Sequence, residues 1–213
     1  MPQGPKPDRN YLLYLPQTYE ETEEHWPLVL FLHGLEESGD DFELLKKHGP
    51  PKQADQGKQF PFILVSPQAR VDEGWDVDAL GELLDEVEKR YRVDATRRYV
   101  TGLSMGGHGT WTLARRYPDR FAALAPICGW APADTAQHLS HVPVWIFHGL
   151  TDTVVDPSES KSIARSLNST GAPVELTLYP ETGHVGAWEK AYHGDALWDW
   201  MLSHSLASSL QGD

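Results

Sequence analysis

At 213 residues the chain is long enough for one substantial core, and 18 Lys and Arg against 31 Asp and Glu give a formal charge of −13. That acidity argues against a nucleic-acid backbone or an anionic membrane as partner, and the single cysteine, Cys128, excludes an intrachain disulfide and a thiolate zinc cluster. No apolar run has the length of a membrane-spanning helix and the segment 1–7 lacks the apolar stretch of a signal peptide, so a soluble, cytoplasmic chain is expected, although a secreted form stripped of its leader would read the same.

In chain order, Tyr11 to Leu15 ahead of Pro16 reads as an antiparallel edge strand, since an edge tolerates a following proline. Short and nearly uninterrupted apolar runs follow at 28–32, 62–65, 99–101, 123–127 and 144–147, as buried parallel strands require, with a further strand at 174–178. Between them, the stretch 79–91 carries Leu80, Leu83, Leu84 and Val87 at helical spacing. The stretch 106–117 starts with small residues, continues through Trp111 and Leu113, and is closed by Pro118. Strands alternating with amphipathic helices predict an α/β fold in one domain over residues 1–213, with a mostly parallel central sheet and helices on both faces. Only 16 residues separate Ile127 from Val144, too few for a large cap or lid.

Gly102-Leu103-Ser104-Met105-Gly106 lies between the 99–101 strand and the helix after it, the strand–turn–helix context that makes G-x-S-x-G chemically meaningful. The sharp turn forces the serine into a strained backbone conformation and exposes its hydroxyl, while glycines on either side let strand and helix approach. A hydroxyl is a weak nucleophile at neutral pH and needs a base, and in this context the chain order is serine, acid, histidine.

Asp152 stands just past the 144–147 strand, where open α/β sheets assemble their sites, whereas Asp156 before Pro157 reads as a helix cap. Of the ten histidines, His184 sits in a glycine-flanked stretch, Gly183 to Gly186, beyond the last strand, and is the expected base. His108 within a helix and His148 at a strand end read as structural, and His138 and His141 as a surface pair, so no metal is assigned. Backbone N–H groups of Leu35, after the 28–32 strand, and of Met105 are the expected oxyanion donors, with His33 fixing the first loop through a hydrogen bond. Trp75, Trp130 and Trp188 fall near this predicted site. Trp130 and Trp188 are the candidate substrate-binding walls, while Trp111, Trp145, Trp198 and Trp200 suit packing positions.

Tyr11 to Pro16, Trp26-Pro27-Leu28, Leu32-His33-Gly34, Ser66-Pro67-Gln68, the 102–107 segment, Pro126 to Gly129, His148-Gly149 with Asp152, and Gly183-His184 with Trp188 together resemble one group. It is the phospholipase/carboxylesterase and dienelactone-hydrolase branch of the α/β-hydrolases, with its predicted-peptidase-like and polyhydroxybutyrate-depolymerase-like relatives. The resemblance covers almost the whole chain. It implies an eight-stranded or nearly complete sheet, no cofactor, a small-molecule ester as substrate, and hydrolysis through an acyl-enzyme formed by Ser104, Asp152 and His184. One departure is Glu36-Glu37-Ser38, where relatives often carry Gly-Glu-Arg.

The expected reaction is hydrolysis of short-chain or small aromatic carboxyl esters. Its rivals are a thioesterase, an esterase acting on polyhydroxyalkanoate or feruloyl chain ends, and a non-catalytic binding scaffold, which labelling by a fluorophosphonate would separate from any of the enzymes.

Overall fold

The computed structural model describes residues 11–132 and 134–206. Seven strands, β1 (Tyr11–Tyr14), β2 (Trp26–Leu32), β3 (Ile63–Pro67), β4 (Val93–Leu103), β5 (Ala123–Ile127), β6 (Val144–Gly149) and β7 (Val174–Tyr179), form one sheet in the order β1-β3-β2-β4-β5-β6-β7. All neighbours are parallel except β1, which runs antiparallel along the β3 edge with Tyr11 opposite Pro67 and Tyr14 opposite Leu64. Each strand expected from sequence is present. The resemblance's eighth strand is not found among the described residues.

Alternate residues of β2 show why its run is continuously apolar. Leu28, Leu30 and Leu32 face a cluster with Leu80, Leu84 and Trp111, while Val29 and Phe31 face a second cluster with Phe62, Tyr192 and Trp198. A strand covered on both faces has no solvent side to mark with polar residues. The first face is covered by α2 (Val77–Arg90), α3 (Met105–Arg116), α4 (Thr135–His138) and α5 (Ser158–Thr170), and the second by α1 (Gly49–Asp55), α6 (His184–Ala191) and α7 (Ala196–Leu202).

The helix ends follow local chemistry. Asp76 accepts from Ala79 N at 2.9 Å to start α2, and Lys89 and Arg90 sit in its last turn, where the helix dipole favours cations. Gly171, at φ 81°, ends α5 in the left-handed conformation that glycine adopts without a Cβ clash. Between β5 and β6 the chain passes through α4 and loops, and no cap covers the carboxyl edge of the sheet among the described residues.

Strand order reverses around β2: β3 lies on one side of it and β4 on the other. A crevice therefore opens between the carboxyl ends of β2 and β4, the usual ligand position in an open parallel sheet.

Candidate active site

Ser104 occupies that crevice. It has φ 55° and ψ −116°, a strained conformation for a residue with a side chain. Its N–H is held by Ile127 O at 3.0 Å and its carbonyl by His108 N at 3.0 Å, so strand β5 and helix α3 maintain the strain. The turn is too tight for side chains at its glycines: a Cβ on Gly106 would lie 1.9 Å from Leu32 O, and one on Gly102 would lie 2.3 Å from Gly106 O. The motif's glycines are required by the approach of α3 to β2 and β4.

The Ser104 hydroxyl donates to His184 Nε2 at 2.8 Å, and His184 Nδ1–H donates to Asp152 Oδ2 at 2.6 Å. The three residues expected from sequence are thus brought together from β4, β6 and β7. Asp152 has no exposed side-chain surface, and its Oδ1 accepts from Val154 N and Val155 N at 2.9 and 3.0 Å. Burial pushes this carboxyl up, but the His184 N–H and the two backbone N–H groups outweigh it and hold the group below the ordinary aspartate value. The acid is ionised where the imidazole needs it.

Asp156 takes the other role: its carboxylate accepts from Ser158 N at 2.8 Å at the start of α5. His184, expected in a loop, is the first residue of α6, with Gly183 as its extended N-cap. Glycines 183 and 186 suggest a loop, yet Ala187, Trp188 and Ala191 give the segment a buried helical face.

Leu35 and Met105 each open a helical turn, Leu35–Glu37 and α3, where a backbone N–H has no intrahelical acceptor. His33 anchors the first of these. Its Nε2 accepts from Ala69 N at 2.9 Å, its Nδ1–H is directed at Gly34 O at 2.5 Å, and burial pushes its pKa down to about 4. Glu37 is buried in the same turn. Here its neighbour is His48, 3.7 Å away, and burial raises its carboxyl while the Gly34 N–H offsets part of the rise. Sequence reasoning noted Glu37 only as part of a departure and gave it no role. A charged residue inside an otherwise site-forming loop was the available signal.

Trp130 and Trp188 have different places. Trp130 is 38% exposed and stacks flat on His108, with centroids 4.5 Å apart and an interplanar angle of 11°, while His108 Nδ1 bonds Trp130 O at 2.9 Å. An open cleft of about 760 Å³ runs from Met105 past Trp75, His108, Thr112 and Trp130. Trp188, by contrast, is only 6% exposed, with its ring edge-on to His184 at 5.1 Å and to His48 at 5.5 Å. Its place on the buried face of α6 makes it a backing for the base, which corrects the expectation of a substrate wall.

His138 and His141 do not pair: the first bonds Asp134 O at 3.0 Å and the second lies 3.1 Å from Asp119. The group of metal-capable side chains found among the described residues is Cys128, Asp152 and His184, whose acid and imidazole already bind each other. Burial also pushes the Cys128 thiol up, so it is not a competing nucleophile.

A hydroxyl, imidazole and carboxylate in line at the carboxyl edge of a doubly covered parallel sheet define a serine hydrolase site on the α/β-hydrolase fold. The chain belongs to the Esterase family, described as "Putative esterase", which matches residues 3–207. It is similar to the bifunctional acetylxylan esterase/xylanase XynS20E of Neocallimastix patriciarum, 26% identical over 137 residues, covering 61% of this chain and 20% of that one. It is also similar to poly(3-hydroxyalkanoate) depolymerase C of Paucimonas lemoignei, 30% identical over 114 residues, covering 48% and 28%. The matches thus span well under a third of these two relatives' own lengths. The crystal structure of a thermostable esterase superposes with a TM-score of 0.82 at 26% identity, covering 95% of this chain and 62% of that one.

Proposed function

We propose that the protein is a serine carboxylesterase acting on esters with a short or small aromatic acyl group. The Ser104–His184–Asp152 relay carries this reading, with hydrogen bonds of 2.8 and 2.6 Å. In the reaction Ser104 Oγ attacks the ester carbonyl as its proton passes to His184 Nε2, and the Asp152 charge stabilises the imidazolium. The N–H groups of Leu35 and Met105 take the oxyanion, with each such donor worth about 10² to 10³ in rate. The tetrahedral intermediate expels the alcohol with the His184 proton, leaving an acyl-serine. Water, deprotonated by His184, then releases the carboxylic acid and restores the serine.

Substrate size follows from the cleft. An added CH₂ gains about 0.8 kcal/mol only where a wall excludes water from it, and a cleft without a cap soon stops supplying wall. The flat, fixed face of Trp130 favours a planar ring over a long flexible chain, because little ordering entropy is lost on stacking. A family relative named for acetylxylan, a substrate with the shortest common acyl group, agrees with this.

The test is a p-nitrophenyl ester series. Acetate to butyrate is expected to show higher kcat/KM than laurate or palmitate, with no activation at a lipid–water interface and with covalent labelling of Ser104 by a fluorophosphonate. A profile rising steadily to palmitate would refute the open-cleft reading, and an unlabelled serine would refute the enzyme.

A further inference from the structure

His148 is the penultimate residue of β6, four residues before Asp152, and neither side chain has any exposed surface. Its Nε2 lies 3.0 Å from Val155 O and 3.2 Å from Asp152 Oδ2. Carbonyl and carboxylate oxygens only accept, so Nε2 carries the proton. The bare Nδ1 then accepts from the Ser160 hydroxyl of α5 at 2.7 Å. Such an imidazole is fixed in one tautomer from both sides. Its direction is informative, because Val155 is held twice: its N–H supports Asp152 Oδ1 at 3.0 Å and its carbonyl is the main acceptor of the His148 proton.

We propose that His148 is a positioning residue for the Asp152–His184 pair. It clamps Val155, and with it the turn that fixes the carboxylate, and it sets an N–H dipole beside Oδ2, the same oxygen that accepts the His184 Nδ1–H hydrogen bond. This inference rests on the reaction proposed above.

Nε2–H would hold Val155 in either protonation state, so it is the charge balance of the site, not the clamp, that calls for a neutral His148. A cationic ring would pair with Asp152 and draw off the charge that stabilises the His184 imidazolium. The ionisable groups facing His148 are Asp152 and Asp156 from the loop after β6 and His184 from α6, and burial opposes its protonation among them.

The discriminating comparison is among His148→Leu, His148→Asn and His148→Gln. Only glutamine carries an amide nitrogen far enough out to replace Nε2. His148→Leu is expected to lose about tenfold in kcat with KM unchanged, the scale of one hydrogen bond to a charged group, and to move the acid limb of the rate profile to higher pH. His148→Asn carries the same expectation should the leucine variant not fold, and His148→Gln should recover kcat to within about threefold. The downfield His184 Nδ1–H proton resonance reads the same contact without turnover: it should be sharp in the wild type and in His148→Gln, and broadened by exchange in the other two. A leucine or asparagine variant that melts lower but keeps kcat, acid limb and resonance would overturn the proposal, as would a glutamine variant no better than they are. Failure of the wild type itself to label or turn over would count against the proposed reaction, and the resonance would still decide the role of His148.

Discussion

Replacing His33 by Gln should flatten the acid sensitivity of folding. His33 is 1% exposed, and burial lowers its pKa from 6.5 to about 4, while the unfolded chain regains the ordinary value. Between those two pH values the folded state binds fewer protons than the unfolded one, so acidification favours unfolding. Stability from this group is complete above pH 6.5 and is lost as pH falls towards 4. At about 1.36 kcal/mol per tenfold in proton affinity the whole gap amounts to roughly 3 kcal/mol, of which about 2 kcal/mol falls between pH 7 and pH 5. Glu37, whose raised carboxyl takes up protons in the folded state, acts in the opposite direction. Its contribution cancels when wild type and variant are compared at each pH. The assay is urea unfolding of both proteins at pH 7 and pH 5. His33→Gln is expected to be less stable at pH 7, having lost the Nδ1–H donor to Gly34 O, but to lose about 2 kcal/mol less than the wild type on acidification. Equal losses in the two proteins would show that His33 is not buried neutral as described.

Ser104→Ala should lower esterase turnover by about 10⁶ with the fold retained, read by steady-state rates and circular dichroism, and near-normal activity in the folded variant would remove the nucleophile assignment. Asp152→Asn should lower kcat by about 10⁴ by favouring the wrong imidazole tautomer, whereas Asp156→Asn, at the exposed start of α5, should change kcat less than about threefold; the reverse ranking would exchange the two roles.

The sequence revealed most where a single physical constraint acts on adjacent residues. Gly102 and Gly106 are demanded by backbone approach, and the apolar run of β2 by burial on both faces, so both were legible without coordinates. β4 was read only over 99–101, yet it begins at Val93: the polar stretch Asp94 to Arg98 hides a strand whose first residue pairs with Trp26, across a register shift at Pro27. α1 escaped notice because Pro50 and Pro51 look like breakers, although they fall in its first turn, where a missing N–H costs nothing. The triad was legible because chain order and strand ends limit the choices. His148, read as merely structural, was not, since its importance lies in which turn it faces, and hydropathy carries no record of direction.

The order in which the chain supplies the site bears on how such a site can change. The groups assigned to chemistry leave from the ends of β2, β4, β6 and β7, at Leu35, Ser104, Asp152 and His184. The aromatic rings of the cleft lie on the connections that fall between these in chain order, half-buried Trp75 after β3 and exposed Trp130 after β5. Neither tryptophan contributes a hydrogen bond to the serine–histidine–aspartate relay, although Ala69 on the Trp75 segment holds His33 and so the first oxyanion turn. On the proposed function, changes at Trp130 would retune which acyl group is accepted while leaving the hydrogen bonds of the relay as they stand.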